Sequence, residues 1–190
     1  MRGRSLSILR SIVLVAILVG VCGPRSAAAQ TDAARFADAL AARETSTSLA
    51  GPMSGELTQT VGFVTFENAG VNTESFSASV TFINPTNQGT APWDLGIAFH
   101  RTADAAQQFI VDSTGAWYYA PWPTGALASG KVPFDASPGG TNTFDLVVDG
   151  DFALFGVNGE FVTSAQLPPP VASGTSGRSL WWAAVMLPPW

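Results

Sequence analysis

The chain has 190 residues, room for one ordinary domain and a targeting segment. Apolar residues make up 46% and charged residues 12%, which excludes a chain disordered throughout. The formal net charge is −5, but residues 30–190 keep only five bases against fourteen acids, a net of −9. So acidic a chain lacks the counter-charge that drives binding to nucleic acid or an anionic membrane. Neutral partners, a glycan or an extracellular protein, are expected instead.

Residues 1–29 read as a secretory signal peptide. Arg2, Arg4 and Arg10 give a basic start, Ile12 to Val21 is almost purely apolar, and Ala27-Ala28-Ala29 offers small residues before Gln30. The alternative, a permanent membrane anchor, wants roughly 20 apolar residues, and the run is shorter. Cleavage after Ala29 leaves a secreted chain with no membrane segment. Cys22 is the one cysteine and follows Val21, not the small residue that lipidation needs. Cleavage removes it, and with it any disulfide or thiolate metal site.

Residues 32–43, DAARFADALAAR, have helical spacing, with Asp32 as cap, Phe36 and Leu40 on one face and Arg43 near the end. With the Ser/Thr-rich stretch that follows, they form a short helix and linker over 30–54, ahead of a domain over 55–190.

That domain is written in strands. In 75–83, Phe76, Ala78, Val80 and Phe82 alternate with Ser75, Ser77, Ser79 and Thr81, giving one buried and one wet face. Asn84-Pro85 stops the strand, and 84–92 reads as a loop. Trp93, Leu95, Ile97 and Phe99 alternate with Asp94, Gly96, Ala98 and His100 in a second strand. Phe109 and Val111 share a face of a third, which turns at Ser113-Thr114-Gly115 into Trp117 and Tyr119. The stretch 121–140 reads as a Pro/Gly-rich loop. Phe144, Leu146 and Val148 point inward from 142–149, Asp149-Gly150 makes a hairpin, and Ala153, Phe155 and Val157 return. Asn158-Gly159 turns again into Phe161-Val162. Short strands, frequent turns and no crossover helices predict an all-β antiparallel sandwich.

The segments FSASVTFINP (76–85), WDLGIAFHR (93–101), FIVDSTGAWYY (109–119) and GGTNTFDLVVDGDFALFGVNGEFV (139–162) fall in an order that resembles the concanavalin A-like jelly-roll superfamily of lectins, glucanases and laminin-G-like modules. Bacterial secreted or extracytoplasmic modules are the nearest in kind. The resemblance implies a jelly roll and, since that fold hosts lectins, enzymes and adhesion modules, no single function. It also implies glycine-rich closing strands and an aromatic-polar last strand. Residues 171–190 carry SGRSLWWAAVMLPPW instead, with Trp181, Trp182 and Trp190 in the last ten positions. Neither alternation nor a helix face organises them. The domain is therefore expected to be truncated or frame-shifted after about 177, with 178–190 lacking ladder partners; the alternative is a native hydrophobic tail.

Catalytic residues are expected to be none. Glucanases of this superfamily carry two carboxylates on one strand face, and the nearest approach, Asp145, Asp149 and Asp151, reads as turn and surface acids. His100 is the only histidine, so a zinc site is excluded and no triad is supported; it reads as a polar-face residue. No cofactor is expected. Calcium is open through the oxygens of Asp94, Asp112, Asn142 and Asp149, but no loop has dedicated calcium spacing. The aromatics give the best hint. Tyr118 faces out if Trp117 and Tyr119 are core, and Trp122 sits in a Pro121-Trp122-Pro123 loop. Together they suit the stacking of sugar C–H faces, with Asp94, Arg101 or Asn142 as polar neighbours. The expected function is a secreted non-catalytic carbohydrate-binding module. The alternatives are a structural or adhesion module that contacts proteins at the cell envelope and, more weakly, a glycoside hydrolase.

Overall fold

A computed structural model describes residues 27–43, 64–84, 93–168 and 179–185. The chain forms a helix α1 (Ala27–Arg43) and ten strands: β1 (Val64–Asn72), β2 (Phe76–Ile83), β3 (Asp94–Arg101), β4 (Gln107–Asp112), β5 (Ala116–Tyr119), β6 (Ala128–Lys131), β7 (Thr141–Asp149), β8 (Phe152–Val157), β9 (Glu160–Gln166) and β10 (Ser179–Val185). They pair into a six-stranded sheet, β1-β10-β3-β4-β5-β6, and a four-stranded sheet, β2-β7-β8-β9, antiparallel throughout. This is the all-β jelly-roll sandwich the sequence implies.

The core between the sheets is aromatic and is set by strand alternation. Phe99, Phe109, Val111 and Tyr119 from one sheet meet Phe144, Leu146 and Phe155 from the other, all buried. Phe109 stacks on Phe155 with ring centroids 4.7 Å apart. Trp117 belongs to this core, as its alternation with Tyr118 predicts. The turn after β4 falls at Ser113–Gly115 as expected, with Gly115 N bonded to Asp112 O at 2.8 Å. Asn158 (φ 54°) and Gly159 (φ 81°) form the expected turn between β8 and β9. The β7–β8 turn lies one residue later than expected, on Gly150-Asp151, because Asp149 pairs with Phe152.

Several expectations need correction. The helix starts at Ala27, so Asp32 is not its cap; Asp32 lies inside α1 and accepts a hydrogen bond from Ser164 Oγ at 2.7 Å. The helix is no separate appendage either. It packs on the outer face of the four-stranded sheet, with Phe36 1% exposed against Gly156 and Phe161. Asp145, read as a surface acid, is buried there and pairs with Arg43 at 2.7 Å. Asp149 and Asp151 are exposed, as expected.

The strand at 94–101 has no wet face: Asp94 and Ala98 are as buried as Leu95 and Ile97. β3 lies inside its sheet, and Gly96 lets the carbonyl of Phe109 and the side chain of Ile110 close over it. Two strands, β1 and β6, arise where none was expected, β6 within the 121–140 loop. The tail is the largest correction. Residues 179–185, expected to lack ladder partners, form a strand paired on both sides, Trp182 opposite Glu67 of β1 and Ile97 of β3, with a shift in register between Ser179 and Trp181. Residues 1–26, residues 85–92 of the expected 84–92 loop and Trp190 lie outside the described residues.

Candidate functional site

The site grows from the β4–β5 ladder. Phe109, Ile110 and Val111 pair with Tyr119, Tyr118 and Trp117. The same register continues past the end of β5. Ala120 N bonds Gln108 O at 2.9 Å, and Trp122 exchanges backbone hydrogen bonds with Ala106 at 2.8 and 3.2 Å. Tyr118, Ala120 and Trp122 are therefore successive residues of one face, the outer face of the six-stranded sheet. Tyr119 and Pro121, which alternate with them, are buried. Tyr118 is half-buried and Trp122 is 52% exposed.

Four residues of extended chain set the two aromatics about 13 Å apart. The small Ala120 lies between them, with Gln108 opposite it and half-exposed. The result is a ring, a low saddle and a second ring along one line. Gly125 N bonds Pro121 O at 2.8 Å and Leu127 N bonds Tyr119 O at 2.9 Å, so the loop beyond Trp122 folds back into β6. Leu127, 63% exposed, lies in that return.

Asp94 also belongs to this face. It pairs across the ladder with Asp112, so two carboxylates share one rung, a juxtaposition that reading each strand by itself does not reveal. Asp112 is held by its own turn: Oδ1 accepts from Thr114 N, Thr114 Oγ1 and Ala116 N at 2.6–3.1 Å, and Oδ2 accepts from Tyr118 Oη at 3.2 Å. Burial pushes this carboxyl up, and the hydrogen bonds from Thr114, Ala116 and Tyr118 more than reverse that, so its pKa falls below the ordinary 3.8. Burial raises the Tyr118 phenol above 10, helped by the charge and hydrogen bond of Asp112 and by the charge of Asp94. Tyr118 therefore stays a neutral ring anchored at its hydroxyl.

The remaining expected site residues go elsewhere. Arg101 ends β3 before a turn in which Thr102 N bonds Ala105 O, at the end of the sheet where Ala106 pairs with Trp122. Asn142 is in the other sheet, 1% exposed. Its Nδ2 donates to Asp135 O (2.8 Å) and Asn84 Oδ1 (3.4 Å), and its Oδ1 accepts from Asp135 N (2.9 Å) and Asn158 Nδ2 (3.3 Å). It ties the 135–140 segment to the sandwich and is no neighbour of Tyr118. His100 is not a polar-face residue: at φ 48° it leaves the strand alternation, and its ring meets Phe99 and Phe76 edge-on at centroid distances of 5.4 and 6.5 Å. Among the described residues no three His, Cys, Asp or Glu side chains group to hold a metal ion.

No protein-family model matches the chain, and no curated protein matches its sequence. Solved structures similar to it include a carbohydrate binding module from Bacillus subtilis (16% identity, TM-score 0.49, covering 65% of this chain and 78% of that one). A Bacillus licheniformis beta-glucanase is similar at 13% identity and TM-score 0.44, over 64% of this chain and 57% of that one. Sheep galectin-11 in complex with glycerol is similar at 12% identity and TM-score 0.43, over 68% of this chain and 95% of that one.

Proposed function

We propose that the protein is a secreted, non-catalytic binding module and that its ligand is a carbohydrate, taken by the outer face of the six-stranded sheet. The observation that carries this reading is the placement of Trp122, half-exposed, on the same ladder face as Tyr118 with only Ala120 between them. An aromatic face is electron-rich and apolar, and it suits the C–H surface of a pyranose. Two such faces about 13 Å apart fit a short oligosaccharide better than one sugar. Gln108 and the carboxylate edge of Asp112 supply polar groups beside the line of rings. The anchored hydroxyl of Tyr118 holds one ring in place before the ligand arrives, which lowers the entropy lost on binding.

The non-catalytic part of the reading is that Asp94 and Asp112, which share one rung, do not serve as the protonated and ionised carboxyl pair that a glycosidase needs; it is supported by the hydrogen bonds that tie the Asp112 carboxylate to Thr114, Ala116 and Tyr118 of its own hairpin. Release of reducing sugar from any bound polysaccharide would overturn this.

Pull-down on insoluble polysaccharides and a glycan array test the binding. Trp122→Ala is expected to lower affinity at least tenfold while leaving the fold intact, because the indole is half in solvent. A folded wild-type chain that retains no glycan sinks the carbohydrate reading. The second reading, a module that contacts other proteins, has its own observation. Leu127 and Trp122 together expose apolar surface from one loop, and capture of an envelope protein that Leu127→Asp abolishes would favour it.

A further inference from the structure

A sheet edge presents unpaired N–H and C=O groups to any strand that can reach them. Among the described strands, β1 and β6 are edges of one sheet and β2 and β9 of the other. Three of these edges are guarded. β6 has four residues, one of them Lys131, the only lysine in the chain. β1 carries Glu67 and loses register between Asn68 and Asn72, with Gly70 at φ 68°. β9 begins on Glu160, opposes a register shift at Phe155/Gly156, and is strapped by α1 through Ser164 and Asp32.

β2 has no guard. Its eight residues, FSASVTFI, contain no charge, Pro or Gly and keep unbroken register with β7 from Phe76 opposite Val148 to Ile83 opposite Thr141. Asn84 N bonds Gly140 O at 2.8 Å in that same register, which sets the phase of the strand. Phe76, Ala78, Val80 and Phe82 turn their backbone groups to β7, whereas Ser77, Ser79, Thr81 and Ile83 turn theirs to the open side. The side chains show the same incompleteness. Phe76, Ala78 and Val80 face the core yet are only half-buried, and Ile83 is 70% exposed.

We propose that β2 pairs antiparallel with β2 of a second copy of this chain, about a two-fold axis through Ser79. In that register Ser77 opposes Thr81 of the second copy and Ser79 opposes Ser79, hydroxyl to hydroxyl on the outer face. Phe76 opposes Phe82 and Ala78 opposes Val80, apolar to apolar on the core face. The strand is thus complementary to itself, as a two-fold contact requires. It brings no like charges together and adds about six backbone hydrogen bonds. One strand pair buries less than the roughly 1,000 Å² of a permanent interface, so the dimer is reversible and depends on concentration. The net charge of −9 on residues 30–190 makes the two copies repel at long range, so salt strengthens association. The edge belongs to the sheet opposite Tyr118 and Trp122, and the dimer leaves both aromatic faces open.

Sedimentation equilibrium across a wide concentration range tests this. The weight-average mass is expected to rise from one chain toward two, at lower concentration when salt is added. Ser79→Lys sets two ammonium groups face to face at the axis and is expected to weaken association at least tenfold. Ser79 is exposed, and its circular dichroism should match the wild type. Ser77→Pro removes one outward N–H without touching the β7 ladder and should weaken association independently. Ser79→Ala, which keeps the backbone groups, should associate as wild type. A wild-type chain that stays monomeric throughout, or Ser79→Lys and Ser77→Pro chains that both associate normally, overturns the proposal.

Discussion

Asp145 lies between the core residues Phe144 and Leu146 but points away from them, to the face that α1 covers. Its side chain is 3% exposed and its charge is met by Arg43, 102 residues away in sequence, whose own side chain is 33% exposed. Arg43→Ala leaves that carboxylate buried without its partner and is expected to cost about 1–3 kcal/mol. Asp145→Asn in the same chain should restore part of the loss, and urea unfolding of the single and double variants measures the coupling. The tyrosines permit a titration test. The chain has two, burial raises Tyr118 above 10 and pushes Tyr119 to about 12, and Tyr119 donates to Gln107 Oε1 at 2.6 Å. The folded chain should therefore show little tyrosinate absorbance at pH 10, where a free phenol is half ionised. The neutral Tyr119 stabilises the fold fully below pH 10, and that contribution is lost as pH rises toward 12. Tyr119→Phe should flatten this alkaline loss; an absorbance step at pH 10 in a folded chain would contradict the assignment. Asn142 shows why single residues mislead in sequence. Its amide has donors and acceptor to offer a ligand, but Asn84, 58 residues away, and the Asp135 backbone take them up.

The helix is an element whose removal the sandwich should survive. The core cluster contains no side chain from α1, and among the described side chains of the helix Phe36 is the one that is buried. Its socket exists because Gly156 has no side chain: a Cβ there would strike the Phe36 ring. Phe36→Ala and Gly156→Val should each release α1. Amides of 32–43 would then exchange at the rate of an open helix, while those of β4, β7 and β8 stay protected. Loss of protection throughout would show that helix and sheets unfold as one. Strands were legible where the chain alternates between tight turns. β2, β4, β5, β7 and β8 carry an apolar residue at every second position, and Gly115 or Asn158-Gly159 marks where they reverse. β6 was not legible, because ASGK offers no apolar alternation and takes its place only by pairing with β5. β3 is legible as a strand but not as one covered on both faces, since alternation reports where polar residues fall and not what covers them. Gly96 and Ala98 are small enough for neighbours to close over.

At the scale of the molecule, two antiparallel layers could be read from the spacing of turns, but the order of strands within them could not. SLWWAAV shows the cause. A continuous apolar run carries no alternation from which a strand or its partners can be read, and the run in 179–185 has neither the alternation of a half-wet strand nor the face of a helix. Of the proposed site, Tyr118 is legible by its parity with Trp117 and Tyr119, and Trp122 as a loop aromatic, but not that Trp122 continues the same ladder face. Gln108 was not, because it joins them through a register that only pairing creates. The place of β10 has a further consequence. It separates β1 from β3, and it follows every other described strand in the chain. While the chain emerges residue by residue, whether from a ribosome or through a secretion pore, β1 must wait for a partner more than a hundred residues downstream, a closure whose entropy cost is borne late. The four-stranded sheet and the β3–β6 hairpins can assemble before β10 is made, but β1 has no place in the six-stranded sheet until residues 179–185 arrive. A chain built this way seats its first strand only after residues 179–185 have followed.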